Sequence, residues 1–284
     1  MINPKKLSFA QSGFRFVAAV TFIISGLQSL DAQGDLLITP GRIVLQGSKR
    51  SVDMNLANTG KDSATYAISL VQMRMTEDGR FETITEPDPD QMFASDYLRF
   101  FPRSVTLAPS ESQTVKVQLN RTSQLAPGEY RSHFYFRAIP KPVALGTAEK
   151  RDTNAISIVI KPVFGITVPA IVRIGESTTR VSITDLALTT KNDNPVCSMT
   201  FNRSGNFSVY GDLAIFHISP DGKQTKVGVA NGLAIYTPNP KRTFMLNLSK
   251  GEGVDYTKGT IRVTFSAPSD VKAERYAEAE INLN

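Results

Sequence analysis

The 284-residue chain has no tryptophan, one cysteine and two histidines. Each scarcity removes a class of function. Cys197 alone cannot close an internal disulfide, so the cores must hold by packing, and no cysteine–histidine cluster offers metal-ligand spacing. Its apolar, alternating surroundings suit a small buried hydrophobe. His133 and His217 lie far apart, each on an expected strand, where a structural part fits better than a catalytic one. No HExxH, P-loop, GxSxG or dinucleotide fingerprint occurs. Without tryptophan the chain lacks the broad ring on which sugar sites commonly lean. A carboxylate pair for glycoside hydrolysis meets only in space, so a hydrolase stays open as the lesser reading. The expectation is no enzyme, no cofactor and no metal.

Charge of one sign is also not concentrated anywhere. The net charge is +6, of which Lys5, Lys6, Arg15 and Asp31 hold +2, leaving about +4 for the rest by the same count. No basic stripe is present, which argues against nucleic acid. The apolar run Phe16-Val17-Ala18-Ala19-Val20-Thr21-Phe22-Ile23-Ile24 is short of the roughly 20 residues that a membrane span needs. Positive charge precedes it, and small and polar residues follow it to Ala32. That is the order of a secretory signal peptide over residues 1–32, and the mature chain is expected to be soluble.

What is there is alternation. Val52, Met54 and Leu56 alternate with Asp53, Asn55 and Ala57; Tyr66, Ile68 and Leu70 form the next inward set. Val115, Val117 and Leu119 repeat the pattern, Phe134 and Phe136 share a face, and Ala214, Phe216 and Ile218 alternate with Ile215, His217 and Ser219. Ile261, Val263 and Phe265, then Ala277, Ala279, Ile281 and Leu283, close the series. Turn chemistry interrupts it at Asp78-Gly79, Ala126-Pro127-Gly128, Pro220-Asp221-Gly222 and Pro238-Asn239-Pro240. No stretch has helical period with caps. Many short strands with regular turns imply an all-β chain of two sandwiches, with a boundary near Pro169: 33–169 and 170–284. The acidic, proline-bearing segment 84–96 reads as a solvated surface loop rather than a cation site. Asn120, Asn202, Asn206 and Asn247 begin sequons that matter only in a eukaryotic source.

One region stands out. Arg131-Ser132-His133-Phe134-Tyr135-Phe136-Arg137-Ala138-Ile139-Pro140 is a strand ending in Ile-Pro, followed by a polar stretch from Lys141 to Asn154 and then Ala155-Ile156-Ser157-Ile158-Val159-Ile160. Ile156, Ile158 and Ile160 share one strand face. Pro162 removes a ladder donor, as suits an edge strand or bulge. An apolar edge recruits other chains, and that can be its use.

These residues resemble the PapD-like chaperones of pilus assembly, over most of residues 36–169. Gly41-Arg42-Ile43-Val44-Leu45-Gln46-Gly47 is similar to that family's first strand with its arginine. Ser132-His133-Phe134-Tyr135-Phe136 with Ile139-Pro140 is similar to the strand before its long loop, and Val168-Pro169-Ala170 to its interdomain link. The resemblance implies two immunoglobulin-like β-sandwich domains in a boomerang arrangement, a periplasmic location, pilus or fimbrial subunits as partners and an outer-membrane usher beyond them. It also implies a strand lent to the subunit through Ile156, Ile158 and Ile160, with Arg42 holding the subunit's terminal carboxylate. The exposed lent strand makes a self-capping dimer a further expectation. The family's second anchor, a lysine about five residues before the link proline, is replaced here by Phe164, with Lys161 nearby. A one-residue bulge at Lys161-Pro162 would let Lys161 substitute and bring the three isoleucines into phase. The alternative is a secreted adhesin-like or carbohydrate-binding sandwich.

Overall fold

The computed structural model describes residues 35–121, 123, 125–140, 163–251, 253–269, 271 and 273–283. Among them the regular structure is strand, apart from short 3-10 turns such as Ser95–Tyr97. The chain is all-β and builds two sandwiches. In the first, one sheet has the order β1 (Leu36–Thr39), β3 (Ser51–Asn58), β8 (Ser112–Leu119), β6 (Leu98–Phe101). The other has the order β2 (Ile43–Gln46), β10 (Gly165–Ile174), β9 (Gly128–Ile139), β4 (Ala64–Met75), β5 (Phe81–Ile84), with β7 (Ser104–Leu107) also on β4. In the second sandwich, β11 (Arg180–Lys191), β12 (Asn194–Ser204) and β15 (Lys241–Asn247) form one sheet. The other runs β14 (Gln224–Ile235), β13 (Val209–Ile218), β16 (Gly259–Ser266), β17 (Arg275–Leu283).

Period two explains most of this. In β3, Met54 and Leu56 are fully buried while Asp53 and Asn55 face water. Val115 and Val117 of β8 join them, with the ring of Phe134 set edge-on to Phe100 at 5.1 Å between centroids. The turn at Asp78-Gly79 closes the β4–β5 hairpin, with Met75 opposite Phe81, and Gly79 supplies the positive φ of 84°. The second core gathers Cys197, Phe201, Leu213, Ile215, Val263 and Phe265. Burial pushes the Cys197 thiol up to about 11, so it stays a neutral, inert hydrophobe.

In β13, whose inward face the alternation leaves open, the buried set is Leu213, Ile215 and His217, while Ala214, Phe216 and Ile218 are half-buried. Both faces of that strand are apolar, so alternation alone does not say which one points inward. His217 is accommodated because its Nε2 meets the Lys258 carbonyl at 3.0 Å and its ring packs on Tyr256. Segment 84–96 is not all solvated. Gln91 and Ala94 are buried, the Gln91 amide donates to the Met73 carbonyl, and Met92 bridges to Tyr130.

The first strand changes sheets. β1 pairs antiparallel with β3, whereas β2, just after Pro40-Gly41-Arg42, pairs parallel with β10. That pairing covers only Ala170 to Arg173 of β10. On its other side β10 pairs with β9 along its whole length, continuously through Pro169. Residues 165–168 therefore have one edge with no strand against it among the described residues.

Truncating Phe134 to alanine empties a fully buried site and should cost about 3–5 kcal/mol in chemical denaturation. Met245→Ala, at a position 70% exposed, should change stability by less than about 0.5 kcal/mol.

Candidate functional site

The first seven residues of β9 are all buried, although a strand on a sandwich surface should bury only alternate residues. The reason is that both faces are covered. Tyr130, Phe134 and Phe136 enter the first core. Glu129 and Arg131 meet the second sandwich instead. Glu129, whose carboxylate is fully buried, accepts from Arg173 Nε at 2.9 Å, from the Ser208 backbone N–H at 2.9 Å, from the Ser208 hydroxyl, and from Thr237 Oγ1 at 3.3 Å. Arg173 is the cross-strand neighbour of Glu129 and also donates to the Ser208 carbonyl at 2.7 Å. Arg131 donates through Nη2 to the Thr237 carbonyl at 3.1 Å.

The segments that carry Ser208 and Thr237 are held by Arg203. Its guanidinium donates to the carbonyls of Gly205 and Phe207 on one side and of Pro238 and Asn239 on the other. Gly205 is required there: at φ +88° a Cβ would sit 2.5 Å from the Thr178 carbonyl oxygen. The β4–β5 hairpin adds a second strap. Asn239 Nδ2 donates to the Met75 carbonyl at 2.5 Å, and the Thr243 N–H to the Glu77 carbonyl at 2.7 Å. Met75, Ile171, Ala234 and Tyr236 form a small apolar cluster between the two larger cores, with Val44 and Tyr210 against it.

Arg42 stands on this junction. It is half-buried, immediately before β2, and its Nη1 donates to the Tyr236 hydroxyl at 2.9 Å. Its guanidinium lies 4.5 Å from the centre of the Tyr210 ring and 5.3 Å from that of Tyr236. Beside it opens a cleft of about 1100 Å³ walled by both sandwiches. Arg42, Lys49, Arg173, Arg180 and Arg275 line it, against Glu274 as the one carboxylate among the described lining residues. Such a wall attracts anions. No cluster of three or more histidine, cysteine or acidic side chains able to hold a metal occurs among the described residues.

Of the sequence-derived site, Arg42 is thus found in the cleft. Lys161, Ile156, Ile158 and Ile160 lie outside the described residues. Phe164, where the second anchor was expected, is 44% exposed, as is Val163 at 45%, just before the edge of β10 that is unpaired among the described residues. Nothing in the sequence singles out Glu129, Arg131 or Arg173. The available signal was charge at the alternating positions 129, 131 and 137 of a strand rich in aromatic residues, which reads equally well as a solvated face.

His133, 2% exposed, sits edge-on to Phe81 at 5.4 Å. Burial first, then the charges of Arg131 and Arg42, push its pKa down to about 3.

Residues 45–137 match the Fn3-like domain family. No curated protein matches the chain. Solved structures similar to it include the YadV chaperone, at 12% identity and TM-score 0.43, covering 88% of this chain and 100% of that one. The CsuC–CsuE chaperone–tip adhesion subunit pre-assembly complex of Acinetobacter baumannii matches at 11% identity and TM-score 0.45, over 87% and 97%. The CupB2 chaperone of Pseudomonas aeruginosa matches at 11% and 0.41, over 87% and 100%.

Two outcomes follow from the junction. Glu129→Ala strips a buried partner from Arg173 and from three donors of the second sandwich, and should lower stability by about 3 kcal/mol or more in thermal unfolding. The folded chain keeps His133 neutral while the unfolded chain protonates it below about pH 6.5. Stability should therefore fall on acidification, by up to about 1.4 kcal/mol per pH unit between about 6.5 and 3. Urea midpoints measured from pH 7 to pH 4 should show this fall, and His133→Phe should flatten it.

Proposed function

We propose that this chain is a divergent PapD-like chaperone that binds and stabilises pilus or fimbrial subunits. The observation that carries the reading is the setting of Arg42: a guanidinium fixed by Tyr210 and Tyr236 on the wall of a basic cleft between two sandwiches. A guanidinium so held suits the terminal carboxylate of another chain, because its remaining N–H groups are preset for charge-assisted hydrogen bonds. The edge of residues 165–168, unpaired among the described residues, supports the second half of the reading. It offers main-chain donors and acceptors to an added strand, near the exposed side chains of Val163 and Phe164.

In this reading Ile156, Ile158 and Ile160 fill pockets of an incomplete subunit, with Lys161 as the second cationic contact. The chain divides into a leader over 1–32 and two sandwich domains over 33–169 and 170–284. β10 crosses that division, with Ala170 to Ile174 still paired to β9 of the first sandwich. The action is binding, with no bond made or broken. A periplasmic location, delivery to an outer-membrane usher and self-capping of the free edge by dimerisation belong to the same reading.

The test is capture in a bacterial periplasm. Tagged wild-type chain should co-purify with a small chain forming an incomplete sandwich. Arg42→Ala should weaken that capture about 10- to 100-fold while leaving the thermal transition in place. Undiminished capture by Arg42→Ala would remove the anchor. A sugar or an adhesin receptor in place of the subunit would favour the surface-protein alternative.

A further inference from the structure

The junction is short of negative charge. Glu129 spends both oxygens on Arg173, Ser208 and Thr237, so it has little left to offer Arg131. Arg131 is 3% exposed. Its Nη2 reaches the Thr237 carbonyl, but its Nε and Nη1 have no hydrogen-bond partner among the described residues. Its guanidinium lies 4.3 Å from the centre of the Tyr236 ring, and Arg42 is 5.3 Å from the same ring. Two cations therefore share one aromatic ring. Two positions along β9, on the same side of the strand, the buried ring of His133 also has both nitrogens without a partner among the described residues. The spacing of alternate residues on a strand, about 7 Å, lets one small acceptor reach both side chains.

We propose that the junction holds a small monovalent anion, of halide or formate size, that accepts hydrogen bonds from Arg131 and from an N–H of His133. A buried cation with unmet donors is costly, and a ring quadrupole offsets only part of its charge. A water molecule would meet the donors and leave the charge. An anion meets both. Neither Arg131 nor His133 lines the large cleft, so the anion position is separate from the Arg42 anchor and independent of the subunit reading. Its effect is to hold the sandwiches together, because Arg131 belongs to one and Thr237 and Tyr236 to the other.

Bromide is the probe. Crystals of the full chain soaked in bromide should show an anomalous peak within hydrogen-bond distance of Arg131 and His133. An ordered water there, or no peak, overturns the proposal. In solution, chloride replaces gluconate at constant ionic strength, since gluconate is too bulky to enter. Wild-type melting temperature should rise by about 3 °C or more per tenfold increase in chloride once the site begins to fill. Arg131→Leu should lose that dependence, and His133→Phe should reduce it, so the test holds if one variant fails to fold. A chloride dependence equal to wild type in any folded variant contradicts the proposal.

Discussion

A single carboxylate with no access to solvent organises this molecule. Glu129 takes three hydrogen bonds from the second sandwich and one from Arg173 of its own. A buried carboxylate short of donors costs several kcal/mol, and this one has both oxygens bonded. Its donors come from Ser208 and Thr237, each two residues or fewer from a tyrosine that touches Arg42. Tyr210 follows Ser208, and Tyr236 precedes Thr237. Fixing the donors on Glu129 fixes both rings, and the rings fix the guanidinium. The cleft wall, the Arg42 geometry and the junction are thus consequences of one interaction, with Arg203 clamping the two donor segments from behind.

The features legible in the sequence are those decided locally. Met54 and Leu56 alternate with polar neighbours, and they are buried as that pattern requires. Asp78-Gly79 is a hairpin because glycine takes the positive φ that the turn needs. Arg42 could be chosen through the motif around it. What was not legible depends on contacts between distant segments. β13 is apolar on both faces, so its inward side is set by the sheet opposite. Glu129 and Arg131 are charged, and only the arrival of the second sandwich turns their face from solvated to buried. Gln91 and Ala94 sit in an acidic, proline-bearing stretch, yet pack because Met92 and Gln91 find backbone partners on neighbouring strands.

The electrostatics join the two ends of the account. Arg131, Arg173 and Arg203 gather near Glu129, whose one ion pair among the described residues is with Arg173. An assembly built this way favours negative partners both at its surface and within the junction. The surface partner proposed is the end of another chain; the internal one is an ion. Ile43 stands opposite Ala170, so Arg42 adjoins the end of residues 165–168, whose second edge has no strand against it among the described residues.

Hydrogen–deuterium exchange along residues 165–168 tests the central claim most directly, comparing the chain alone with the chain bound to what it captures in a bacterial periplasm. The alternate amides that face away from β9 should exchange fast in the free chain and become strongly protected in the complex, as an added strand takes them up. Capture that leaves those amides exchanging at the free rate would contradict strand pairing at this edge.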